Sequence, residues 1–117
     1  MPRHSAATRL ATDMLDFRRF RGDIISRDIF AEPAWDLLLR LYVAQANGNR
    51  LTAEDAKGSA DVPSNVMIRW MKHLANLGYI RGFEPDRPDS RLELAEVALK
   101  KIELVLEKGL SMQNFAE

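Results

Sequence analysis

The run VPSNVMIRWMKHLANLGYIRGF, residues 62–83, decides the fold. Pro63 and Ser64 suit the opening of a helix. From there Met67, Trp70, Met71, Leu74 and Leu77 recur at i, i+3, i+4, i+7 and i+10, an apolar stripe of helical period. Gly78 follows as a C-cap, because glycine takes the left-handed conformation that ends a helix. Beyond it Tyr79-Ile80-Arg81-Gly82-Phe83 has the β-branched and aromatic content of a short strand. The predicted unit is therefore a helix of about four turns, an abrupt stop and an extended segment.

Upstream of this unit, Thr52 followed three residues later by Asp55 matches a capping box with the shorter acid, and predicts a short helix to about Ala60. A tight turn, Ala60-Asp61-Val62, would join it to the helix opened by Pro63, and two helices so joined make a helix-turn-helix. Earlier still, Pro33 to Ala46 is apolar over most of its circumference, with Trp35, Leu37, Leu38, Leu39, Leu41, Tyr42 and Val43, and predicts a central core helix. Asn47-Gly48-Asn49 would end it. At the N-terminus Leu10, Met14, Phe17, Phe20, Ile24 and Ile25 predict an amphipathic helix from about Ala7 to Ile25, with a break at Ser26–Phe30.

Downstream, Arg91 to Val97 reads as a second strand. The intervening Glu84-Pro85-Asp86-Arg87-Pro88-Asp89-Ser90 is a loop with strong turn character, so strand, loop and strand form a β-hairpin, or wing. Leu99 to Leu110 predicts a closing helix that stops at Gly109, with a loose tail over Ser111–Glu117. The expected architecture is mainly α with a small β-hairpin wing, a winged helix-turn-helix. It divides into an N-terminal helix (1–29), the winged unit (30–98) and a C-terminal helix and tail (99–117), with both ends as dimerisation elements.

Composition bounds the chemistry. The 117 residues include no cysteine, which excludes disulfides, thiolate zinc sites and cysteine nucleophiles. Met1 to Leu10 has no apolar signal core and no stretch is long enough to span a bilayer, so the reading is a cytoplasmic chain with no membrane partner. The two histidines, His4 and His73, bring no nucleophile and orienting group with them, and Asp86 and Asp89 fall short of a cation's oxygen set. No catalytic residue, metal or cofactor is expected; the chain reads as a non-enzyme.

Net charge is zero, 17 basic against 17 acidic, so attraction to nucleic acid must come from local clustering. Asn65, Ile68, Arg69 and Lys72, spaced i, i+3, i+4 and i+7, share the predicted outward face of the 64–77 helix, and Ser64 at its opening is a further candidate DNA contact. Asn65 has the donor and acceptor pair that matches adenine and Arg69 the fork that matches guanine, while Ile68 suits a thymine methyl. Arg87, between two prolines at the loop tip, is aimed at the minor groove or a phosphate. Trp35 and Trp70 fall on core-facing stripes and read as structural.

The order of elements from Glu32 to Leu99, with Val62-Pro63-Ser64, Arg69-Trp70, Leu74, Leu77-Gly78-Tyr79-Ile80 and Asp89-Ser90-Arg91, resembles winged helix regulators of the MarR type. That family pairs an aspartate and an arginine two apart in the wing with a Leu-Thr shortly after; Asp89, Arg91, Val97 and Ala98 stand at those positions, without the threonine hydroxyl that caps the helix. The resemblance implies that Arg91 approaches the minor groove with Asp89 steadying it. It also implies a DNA-binding homodimer on duplex DNA, formed by the stripes of the terminal helices: Leu10, Met14, Phe17, Phe20, Ile102 and Leu106. A small-molecule effector between the terminal helices and the DNA-binding part is compatible with this reading. The alternative is a protein-protein interaction module of the same fold, which zero net charge favours.

Overall fold

The computed structural model describes residues 2–24, 32–58 and 62–116. They form α1 (Pro2–Ile24), α2 (Pro33–Ala46), α3 (Ala53–Lys57), α4 (Ser64–Asn76), β1 (Ile80–Arg81), β2 (Glu93–Leu94) and α5 (Glu96–Ala116), a mainly helical fold with one small antiparallel hairpin. The break expected at Ser26–Phe30 and the turn at Ala60-Asp61 lie outside the described residues, and α3 is described only to Lys57.

Local chemistry sets most of the boundaries. Pro33 occupies the first turn of α2, where its missing N–H costs nothing. Helices α2 and α4 end alike. Gly48 and Gly78 both have φ +77°, and the turns close through Gly48 N–H to Gln45 O and Asn49 N–H to Ala44 O, and through Gly78 N–H to Ala75 O and Tyr79 N–H to Leu74 O. Each pair satisfies carbonyls that the helix end leaves bare. At α3 the capping box is complete: Thr52 Oγ1 accepts from Asp55 N–H at 3.1 Å, and Asp55 Oδ2 accepts from Thr52 N–H at 3.1 Å.

Helix α2 is the centre of the molecule. Leu37, Leu39, Leu41 and Tyr42 are fully buried in it, and α1, α4, β2 and α5 all pack on it. The hairpin pairs Ile80 with Leu94 and Arg81 with Glu93, and Ala95 N–H donates to Tyr79 O beyond the ladder. A third extended segment lies along the other side of the 88–92 chain. Thr52 and Arg91 form an antiparallel bridge, flanked by Leu92 N–H to Leu51 O, Ala53 N–H to Ser90 O and Glu54 N–H to Pro88 O. Where that segment turns away, Gln45 of α2 takes over, its Oε1 accepting from Leu94 N–H at 2.6 Å. The hairpin is thus fastened to the helical body by backbone bonds and one side-chain acceptor.

Several expectations are corrected. The strand expected over Arg91–Val97 is two residues long, because Ala95 both ends the ladder and, accepting from Leu99 N–H at 3.0 Å, begins α5. Helix α5 accordingly starts at Glu96 and not Leu99. It also runs through Gly109 to Ala116. Gly109 is not a stop: a methyl group there would lie 3.2 Å from Leu10 Cδ2, so the missing side chain lets α1 approach α5. Helix α1 begins at Pro2, five residues before the expected start at Ala7.

Both terminal helices contribute to the common core. Ala7, Leu10 and Ala11 of α1 and Ala98, Ile102 and Leu106 of α5 belong to the same core cluster as α2, Met67, Met71, Leu74, Ile80, Leu92 and Leu94. Leu10, Ile102 and Leu106, expected at a dimer interface, are therefore buried within the chain, Leu106 to 1% exposure, and Met14 packs half-buried against the same core. Of the six residues assigned to that contact only Phe17 and Phe20 are exposed. Among the described residues no helix is long and apolar enough to cross a membrane.

Candidate nucleic-acid interface

A helix turns about 100° per residue, so its buried residues fix which way the rest point. In α4 the buried side chains are Met67, Met71 and Leu74. Diametrically opposite lie Asn65, Arg69, Lys72, His73 and Asn76, all exposed, with Ser64 exposed at the first position. Helix α4 contains no aspartate or glutamate. The N-terminus carries no side-chain cap, since Pro63 offers none, and the first turn has no acid. The positive end of the helix dipole is left open to an anion.

Two residues of this helix are not where the sequence put them. Ile68, expected on the outward face, is half-buried against the core, because it shares a flank with Met71 and Ala75 at i+3 and i+7. Trp70, expected in the core, is 37% exposed, and Leu77 is also exposed. The outward face is thus rotated by about half a side-chain spacing from the expected one, toward His73 and Asn76. Neither of those two stands out in the sequence. The signal that locates them is the centre of the buried arc, which only three of the five apolar stripe residues define.

The loop between β1 and β2 is a double turn. Arg87 N–H donates to Glu84 O at 3.0 Å and Ser90 N–H to Arg87 O at 3.1 Å, while Ser90 Oγ accepts from Glu84 N–H at 3.5 Å. Since Glu54 N–H and Ala53 N–H bind the carbonyls of Pro88 and Ser90, the loop is docked on the start of α3. Arg87 stands exposed at the junction of the two turns, its Nε 3.3 Å from Glu84 Oε2. Both partners are well exposed, so the pair is weak and open to exchange. Its partner is Glu84, and not the sequence neighbours Asp86 or Asp89.

Arg91 is exposed at the base of the hairpin, its backbone held between Thr52 on one side and Gly82 on the other. Asp89 is exposed as well, and the support it was expected to lend Arg91 is not formed: among the described residues no ion pair joins them. Glu93 instead gathers two other cations, with Arg50 Nη2 at 2.7 Å and Arg81 Nη2 at 3.1 Å, so the base of the hairpin keeps a positive charge in excess. Arg69 and Lys72 have no such partner among the described residues. Positive charge therefore exceeds the local acids along α4 and at the base of the hairpin, where Arg91 also has no ion pair among the described residues. Among the described residues there is no cluster of three acids or histidines suited to a metal ion. Comparison of the chain with protein-family models, with curated proteins and with solved structures gives no match.

Proposed function

We propose that the chain is a sequence-specific DNA-binding transcriptional regulator of winged helix-turn-helix build. It would act in the cytoplasm, with α4 in the major groove and the 82–92 wing on the minor groove. The observation that carries this reading is the outer face of α4: Asn65, Arg69, Lys72, His73 and Asn76 project together, unopposed by any acid on the helix, in a chain whose total charge is zero. Such segregation gives a local field that the net charge hides. The sequence of α3, α4, hairpin and third extended segment supports the winged assignment, as does the likeness to MarR-type regulators. A second reading has its own support. The Arg87–Glu84 pair and the acids Asp86 and Asp89 leave the wing without excess positive charge, which suits a protein-docking module of the same fold.

Salt separates the two. Three to four of Arg69, Lys72, Arg87 and Arg91 displacing counterions give a log–log slope between about −2.7 and −3.6. Fluorescence anisotropy with a random 20-base-pair duplex should then show affinity falling about 40- to 150-fold from 50 to 200 mM salt. No binding at 50 mM salt decides for the docking module.

A regulator of this kind binds as a two-fold dimer, and the apolar surface that remains for it differs from the one expected. Phe20 and Ile24 on α1 and Leu104, Val105 and Met112 on α5 are all more than half exposed. Between the helices runs an open groove lined by Leu10, Met14, Leu104, Val105 and Met112 with Lys108 at its edge. We assign this groove to a second copy of the chain, with exposed Asp13 and Asp16 on α1 available to meet Lys108 across the two-fold. Light scattering at tens of micromolar should give the dimer mass, and Leu104→Lys, at an exposed site, should give the monomer mass with the helical spectrum intact. A wild-type monomer ends the assignment.

A further inference from the structure

Beside the outward face of α4, and sharing Arg69 and His73 with it, lies a second feature. Val66, Arg69, Trp70 and His73, at i, i+3, i+4 and i+7, line an open groove of about 430 Å³ along the flank of the helix. Its lining joins the apolar surface of Val66 and the Trp70 indole to the Arg69 guanidinium and the His73 imidazole. The Trp70 and His73 rings meet edge to face, centroids 5.8 Å apart and planes at 73°. That packing restricts the imidazole, so less side-chain entropy is lost when it donates to a ligand.

A group that fits this lining must be apolar on one side and anionic on the other. An aliphatic partner would strip water from the guanidinium without replacing it, and a bare inorganic anion would leave the indole unused. The sugar–phosphate unit of a nucleic-acid strand has both properties. Its ring carbons offer C–H surface to an aromatic face, and its phosphate oxygens accept N–H donors. Position agrees as well. With Ser64 and Asn65 leading into the groove, Trp70 and His73 sit one and two turns behind, where a helix meets the strand that walls the groove.

We propose that this groove seats one sugar–phosphate of the DNA backbone, with Trp70 against the deoxyribose and an imidazole N–H of His73 donating to a phosphate oxygen. Arg69 at the shared edge stays with the base edges. The inference rests on the DNA-binding reading above. It adds a register-setting contact that carries no sequence preference of its own.

Trp35 and Trp70 are the chain's two tryptophans, so Trp35→Phe leaves Trp70 as the sole indole reporter. The experiment follows that variant with a fluorescein-labelled random duplex for anisotropy, and with the same unlabelled duplex for tryptophan emission and acrylamide quenching. Saturating DNA should lower the quenching constant of Trp70 by about half. His73→Ala, at an exposed position, should weaken random and selected duplexes by the same factor, about 3- to 10-fold for one lost hydrogen bond. If anisotropy reports binding while Trp70 quenching is unchanged, the groove is not a DNA subsite, although the DNA-binding reading stands. Should His73→Ala shift the preferred sequence, the contact is to a base and the backbone assignment fails. No anisotropy change at low salt removes both readings together.

Discussion

Alanine at Gly82 is expected to cost about 2–5 kcal/mol of folding stability, enough to bring a domain of this size close to unfolding. Gly82 follows β1 with φ +85°, in the left-handed region where an L side chain itself costs about 1–2 kcal/mol. A Cβ there would also collide with the carbonyl oxygen of Arg91, a backbone atom that cannot swing away. Arg91 is held from the far side by its bridge to Thr52, so relief means opening either the hairpin or the third extended segment. Forced overpacking of this sort adds about 1–3 kcal/mol. Gly48 and Gly78 supply the controls. Both have φ +77°, and a methyl group at either would meet nothing within 4 Å, so alanine there should cost only the conformational part, about 1–2 kcal/mol. Chemical denaturation of the three variants checks this. Equal losses at the three sites would mean that the approach of Gly82 to Arg91 contributes nothing.

These glycines also show what a sequence can and cannot tell. Gly48 and Gly78 are readable because a C-cap is written locally, by an apolar periodic run that stops at glycine. The Thr52–Asp55 capping box is readable for the same reason, being closed entirely within four residues. Gly109 looks alike in the sequence, but its role is set by Leu10 on a helix almost the whole chain away, and no local pattern announces that approach.

The stripe in α4 misleads for a related reason. Met67, Trp70, Met71, Leu74 and Leu77 span a wider arc than the body of the protein covers, and which three are buried depends on the neighbouring elements, not on the helix. The same ambiguity moves Ile68 from the outward face to a flank. It also hides how far the terminal helices serve the common core. Ion pairing is the least legible part. Arg87 meets Glu84 because a turn folds one over the other, and Glu93 meets both Arg50 and Arg81 because of strand register and the packing of the segment after α2.

For DNA recognition the largest single effect should come from Arg69→Ala. Arg69 lies opposite Met67 and Met71 on the helix, flanked by Asn65 and Lys72, and no ion pair among the described residues holds its guanidinium. It can therefore offer a bidentate fork to guanine O6 and N7 without first giving up a partner, a contact worth about 1–3 kcal/mol of discrimination. The affinity of a duplex selected from a random pool should fall about 5- to 150-fold in this variant, and that of random duplex only a few-fold. Arg87 behaves differently. Engaging a phosphate means exchanging one carboxylate, Glu84, for another anion, so Arg87→Ala should weaken selected and random duplexes alike, and by less than Arg69→Ala. Arg91→Ala should share that uniform pattern, as expected of a wing that positions the protein while α4 reads the sequence. If Arg69→Ala lowers both affinities by one common factor, base reading does not reside at Arg69, and Asn65, the outward residue nearest the leading end of α4, becomes the position to examine.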